Sequence, residues 1–123
     1  RNSHHNTIAP AGTISLLANN VSNGIEPVFQ ASYHRKVKMA DGELMTYCVE
    51  DYAWQRYQSI GNGAPEAWVD TSELTPDEHL AIQGAIQPFV DNAISKTINL
   101  PVDFPFAKLS DVYTRAYEMG LKG

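Results

Sequence analysis

The residue types best suited to chemistry gather in two short stretches. Between Pro10 and Ser15 the chain reads Pro-Ala-Gly-Thr-Ile-Ser, set within an otherwise apolar run. A glycine there lets the main chain approach an anion closely, and successive backbone N–H groups can point inward around it. Thr13 and Ser15 add hydroxyl donors. If "ISLL" opens a helix, its first N–H groups join the same site. The chemistry on offer is phosphate binding without a lysine. Neither the GxxxxGK[ST] pattern of a P-loop nor GxGxxG is present. A turn that needs its glycine only to bend is the plainer reading of the same residues.

The second stretch is "AISKTINL", Ala93 to Leu100. A charge within an apolar strand is expensive unless it is exposed or paired. With period two, Thr97 and Asn99 share one face and Lys96 takes the other. That suits the rim of a binding cavity just before Pro101, or equally an edge strand facing water. Glu26, which precedes Pro27, reads either as an anchor for the loop or a ribose, or as an exposed carboxylate.

Other reactive types form no constellation. His4 and His5 are adjacent, so on a strand they point to opposite faces and cannot easily share a metal. His79 stands beside Glu78 without HExxH spacing and reads as a surface residue. Cys48 has no second cysteine to resolve it. Trp54 and Trp68 lack interleaved basic residues, and no nucleophile elbow surrounds Ser72. No catalytic residue and no metal site follow from the residues alone.

Positioning these groups calls for strands and helices in alternation. "NTIA" reads as a short strand arriving at the turn, and "ISLLANN" as a short helix that Asn19 and Asn20 end. Asn23-Gly24 is the next bend. Ala31 to Met39 alternates as a half-exposed strand, ended by Asp41-Gly42 and continued as a hairpin through "ELMTY". Helical periodicity starts near Val49 and stops at Gly61-Asn62-Gly63. Thr75 is an N-cap, Pro76 the first helical residue, and Asp77 and Glu78 complement the dipole. Ile82, Ala85, Ile86 and Phe89 form the predicted buried stripe. Asn92 to Pro101 reads as a strand, and Phe106 to Tyr117 as a last helix that Gly120 caps.

The chain is 123 residues with a net charge of −5, which disfavours nucleic acid and acidic membrane surfaces as partners. His34-Arg35-Lys36 with Lys38 reads as a solvated edge. A single cysteine excludes an internal disulfide and fits a reducing, cytoplasmic setting. No apolar run approaches the ~20 residues of a membrane span. The start at Arg1 and the stop soon after a helix raise the expectation of an excised piece of a longer α/β protein.

Taken together, "RNSHHNTIAPAGTISLLANNVSNGIEPVF", "FVDNAISKTINLP" and "DVYTRAYEMGLKG" resemble the large catalytic subunit of ribonucleotide reductases, most of all its adenosylcobalamin-dependent class. The resemblance implies an α/β fold, with residues 1–123 as a single partial domain from the C-terminal part of a ten-stranded barrel. It implies that Pro10, Ala11, Gly12, Thr13, Ile14 and Ser15 form the loop that holds the substrate phosphates. Family members often have Thr where Ala11 stands. Glu26 and Asn99 become candidates for the wall of the substrate site, through "SNGIEP" and "SKTINLP".

The family's thiyl radical abstracts the ribose 3′ hydrogen, Asn and Glu residues in an "NPCGE"-like setting assist loss of the 2′ hydroxyl, and a cysteine pair supplies electrons. None of that wording occurs in this chain, and the surroundings of Cys48 match none of those cysteines. The resemblance therefore implies a full-length ribonucleoside-diphosphate reductase that makes deoxyribonucleotides for DNA synthesis. Adenosylcobalamin would be its cofactor, held by no element assignable within this chain, and a thioredoxin-like protein its reductant. The isolated chain is expected to be inactive, to need the remainder of the barrel, and to self-associate through exposed edges. The alternative is a noncatalytic nucleotide-binding or regulatory module with the same fold.

Overall fold

Asparagine ends the first helix, as its tolerance of left-handed backbone allows. In a computed structural model, which describes residues 2–21, 23–61, 63 and 65–123, α1 spans Gly12–Leu17. Asn19 and Asn20 follow it with φ of 65° and 54°. Ser22 of the predicted second turn and Asn62 of the predicted helix stop lie outside the described residues, as does Arg1. The chain divides into two compact units, one of Arg1–Ala11, Gly24–Glu26 and Ser72–Gly123, the other of Gly12–Asn23 and Pro27–Thr71.

The second unit contains α1, a hairpin and one further helix. Strands β1 (Ser32–Lys38) and β2 (Leu44–Glu50) pair antiparallel, with Tyr33 opposite Val49 and Lys38 opposite Leu44. Gly42, at φ 89°, turns the chain between them, and the Asp41 carboxylate accepts from the Glu43 N–H at 3.0 Å. Val49 therefore belongs to the hairpin and not to the helix that periodicity placed there. Cross-strand pairing runs through Glu50, and only then does Asp51 cap α2 (Tyr52–Ser59) by accepting from the Trp54 N–H at 3.0 Å. The Asn20 side chain donates to the Glu50 carbonyl at 3.0 Å, and the Tyr52 N–H reaches the Asn20 carbonyl, so the end of α1 is fixed to the start of α2. Trp54 and Trp68 meet edge to face at 5.0 Å.

The first unit is built on a short parallel pairing. Ile8 bridges Ile94, with the Ser95 N–H on the Ile8 carbonyl at 2.8 Å and the Thr7 hydroxyl on the Ala93 carbonyl at 2.7 Å. The predicted strand over Asn92 to Pro101 pairs at this bridge alone. Beyond it, 95–100 is extended without a ladder, because no strand among the described residues lies alongside it. The period-two alternation survives: Ile94 is buried, the Lys96 side chain is buried, and Thr97 and Asn99 are exposed.

Helix α3 (Pro76–Ile86) starts as expected. Thr75 and Glu78 form a full capping box, and Pro76 occupies the first turn. Its orientation corrects the predicted stripe. His79, Leu80 and Gln83 are buried, with Gln87 of the following 3-10 turn (Gln87–Phe89), whereas Ile82 is 45% and Phe89 80% exposed. Hydrogen bonding explains the inversion. Gln87 Nε2 donates to the Val90 and Asn92 carbonyls at 3.1 Å each, and Gln83 Nε2 to the Ile94 and Gly123 carbonyls. The Val90, Asn92 and Ile94 carbonyls thus find their donors on glutamine side chains, a demand that overrides apolarity. Helix α4 (Phe106–Glu118) packs against α3, with Leu109, Val112 and Ala116 lining a cavity that Leu80 and Gln83 of α3 also line, and Gly120 at φ 73° ends it as predicted. The described residues combine helices with an unclosed two-stranded sheet, in agreement with the partial α/β architecture expected.

Candidate functional site

A lysine, a carboxylate and a histidine, far apart in sequence, meet in the first unit. Lys96 leaves the extended segment after Ile94 on its buried side, and its side chain is only 1% exposed. Its ammonium has three protons and three acceptors: Glu26 Oε2 at 2.7 Å, His79 Nδ1 at 2.8 Å and the Thr97 carbonyl at 2.6 Å. The second Glu26 oxygen accepts from the Thr97 N–H at 2.5 Å. The carboxylate therefore bridges the side chain of one residue and the main chain of the next.

Because an ammonium only donates, His79 Nδ1 must accept, which places the imidazole proton on Nε2. Nε2 is buried and meets no acceptor among the described residues. Burial, and then the neighbouring Lys96 ammonium, hold the His79 pKa below its usual value against a smaller opposing pull from Glu26 and Glu78. His79 is neutral here. Removing one member of such a buried pair leaves an uncompensated charge, at a cost of about 3–5 kcal/mol.

This network replaces several expectations. Glu26 is not an exposed carboxylate, in keeping with the reading that makes it an anchor for its loop. It anchors its own turn to Lys96 and Thr97. His79, read as a surface residue, is 1% exposed. A signal for it was present: a charge on the apolar face of "AISKTINL" demands a buried partner, and His79 precedes Leu80 at the start of a capped helix. Asn99 is exposed, on the other face from Lys96. Lys96 does border a cavity of about 390 Å³, lined mainly by apolar residues of α3, α4 and segment 96–100.

The stretch from Pro10 to Ser15 crosses from one unit to the other. Pro10 and Ala11 close the first segment of the first unit, and Gly12 opens α1 two residues before Ile14, where the predicted helix begins. Gly12, Thr13 and Ile14 are exposed in its first turn, where N–H groups have no intrahelical acceptor. The Ser15 side chain is buried, and its hydroxyl donates to the Val21 carbonyl. Gly12 has no left-handed φ, and a Cβ placed on it meets nothing within 4 Å. Neither the bend nor internal packing thus requires glycine there.

No element among the described residues is assignable to holding a cobalamin: Lys96 and Gln83, polar residues that line the cavity, are already hydrogen-bonded within the protein. Among the described residues, too, no helix is long and apolar enough to cross a membrane.

The family model of the ribonucleotide reductase barrel domain matches residues 1–123. A vitamin B12-dependent ribonucleoside-diphosphate reductase of Mycobacterium tuberculosis is 28% identical, over 100% of this chain and 20% of its own length. An enzyme of the same name from Thermoplasma acidophilum is 29% identical, over 100% of this chain and 18% of its own. A vitamin B12-dependent ribonucleotide reductase of Rhodopirellula baltica is 30% identical, over 99% and 15%. The chain thus spans a fifth or less of the length of these relatives. The match runs over the whole chain and agrees with its unclosed α/β architecture: the chain belongs to the barrel-domain family of ribonucleotide reductases.

Proposed function

We propose that this chain is the C-terminal part of the catalytic barrel of a vitamin B12-dependent ribonucleotide reductase, and that residues 10–15 hold the phosphates of its substrate. The observation that carries the second part is Gly12. Its missing side chain serves neither the turn nor the packing, and it opens a helix whose first N–H groups are exposed beside the Thr13 hydroxyl. With the Ser15 hydroxyl engaged on Val21, the backbone N–H groups and Thr13 are the donors left for an anion. Two of the relatives are named as diphosphate reductases, which favours ribonucleoside diphosphates as substrates.

In this reading the chain contributes position and not the chemical step. Replacing a ribose hydroxyl by hydrogen needs a radical initiator and a reductant, for which we propose adenosylcobalamin and a thioredoxin-like protein. The described residues supply neither. A phosphate cradle remote from the reacting carbon turns binding energy into orientation of the ribose. Residues 1–123 then act as one partial domain completed by the rest of the barrel, inactive alone. The free, exposed thiol of Cys48 suits a cytoplasmic enzyme.

The test is Gly12→Val in the full-length protein, with binding of a ribonucleoside diphosphate compared with the unphosphorylated nucleoside. The variant should weaken the diphosphate about tenfold or more and leave the nucleoside nearly unchanged. Equal affinities for the diphosphate in both proteins would remove the phosphate role from this stretch.

A further inference from the structure

The chain leaves the first unit after Ala11 and returns to it at Gly24, and within that unit the segments on either side are held. On the outgoing side, Ile8 is bonded to the 92–95 segment through the parallel bridge and the Ser95 N–H. On the returning side, Gly24 has φ 70°, and a methyl group on it would stand 3.5 Å from the Ala9 carbonyl oxygen and 3.7 Å from Ile8. Two residues later, Glu26 binds Lys96 with one oxygen and the Thr97 N–H with the other. Lys96 in turn has no proton to spare, because His79 and the Thr97 carbonyl take the remaining two.

We propose that Lys96 is a positioning residue for nucleotide binding: the Glu26–Lys96–His79 lock, which lies wholly in the first unit, fixes the turn at Gly24 against the strand end at Ile8 and Ala9 and so holds Pro10 and Ala11, where the phosphate-binding stretch begins. This rests on the proposed phosphate role of residues 10–15. Lys96 touches no substrate in this scheme. It acts through Glu26, the turn at Gly24, and the strand end at Ile8 and Ala9 from which Pro10 departs. The strand end must be placed before the stretch that leaves it can meet a phosphate, and a saturated, desolvated ion pair is a stiff way to place it.

The experiment uses the full-length reductase with Lys96→Met, Glu26→Gln and the double variant. Gln offers one carbonyl oxygen where the lock needs two acceptors, and it keeps the side-chain shape should Lys96→Met fail to fold. Ribonucleoside diphosphate and unphosphorylated nucleoside are titrated against each protein. Each single variant should weaken the diphosphate about tenfold while changing the nucleoside by less than about twofold, and the double variant should lose no more than the worse single. Equal weakening of both ligands would reduce Lys96 to general stability and overturn the proposal. So would an unchanged diphosphate-to-nucleoside ratio in folded Glu26→Gln protein for which Gly12→Val has lowered that ratio. If Gly12→Val leaves the ratio unchanged as well, the phosphate reading itself fails and the lock's role in it falls with it.

Discussion

His79 is neutral because of where it sits, and that makes stability depend on pH in a definite direction. Burial and the Lys96 ammonium lower its folded pKa beneath the value near 6.5 that it has when unfolded. The unfolded chain therefore takes up a proton first as the pH falls. Stability from this group is fully present above about pH 6.5 and is lost as the pH drops through the folded value. A protonated ring would also place a second cation against Lys96 Nζ, 2.8 Å from Nδ1. His79→Gln keeps an acceptor for Lys96 and removes the titration. In thermal denaturation at pH 7.5 and pH 5.5, the variant should lose less on acidification than the parent, and an equal loss in both would contradict this account. At this scale the sequence was half legible. That Lys96 required either water or a partner followed from its apolar surroundings. Which partner it has depends on Glu26 being 70 positions away in the chain, and no local pattern carries that.

At the level of elements, end signals were reliable and buried faces were not. Thr75, Pro76 and Glu78 located the start of α3, and Asn19, Asn20, Gly42 and Gly120 marked ends and turns, because caps and left-handed positions are decided by a few adjacent residues. The Thr75 N–H and hydroxyl both reach Glu78 Oε2 at 2.7 Å, and these bonds hold the Glu78 carboxyl below its usual pKa. Thr75→Ala removes the cap and should lower stability by about 1 kcal/mol in chemical denaturation. The Glu78 pKa should rise toward the ordinary carboxylate range in the same variant, and no change in either quantity would mean that the capping box is not maintained in solution. The buried face of α3 escaped notice for a different reason. Ile82 and Phe89 make the better apolar stripe, but the Val90, Asn92 and Ile94 carbonyls are satisfied by Gln83 and Gln87, a requirement set by a neighbouring segment.

For the molecule as a whole, the small core is the governing fact. Leu80, Val90 and Ile94 are its fully buried apolar residues among those described, while Ile82, Phe89, Phe106, Tyr113 and Tyr117 are exposed. Apolar surface on this scale marks contact with something else, and relatives five to seven times longer supply a ready source of cover. The isolated 123-residue chain is expected to self-associate at micromolar concentration in sedimentation velocity, and Ile82→Glu with Phe89→Lys should shift it toward monomer. A parent chain that sediments as a monomer at every concentration would show that these faces are tolerated bare. The α/β class, the family and the incompleteness of the fold were legible from the motifs and the resemblance they carry, whereas the particular apolar side chains left bare were not, since residue types alone do not say which of them have neighbours.

The outward apolar side of α3 sets the interests of the part against those of the whole. A change that makes the segment easier to purify, by replacing Ile82 or Phe89 with a charge, is the kind of change that should make the proposed complete barrel harder to assemble. Screens for solubility on the excised piece would then select against the protein from which it comes.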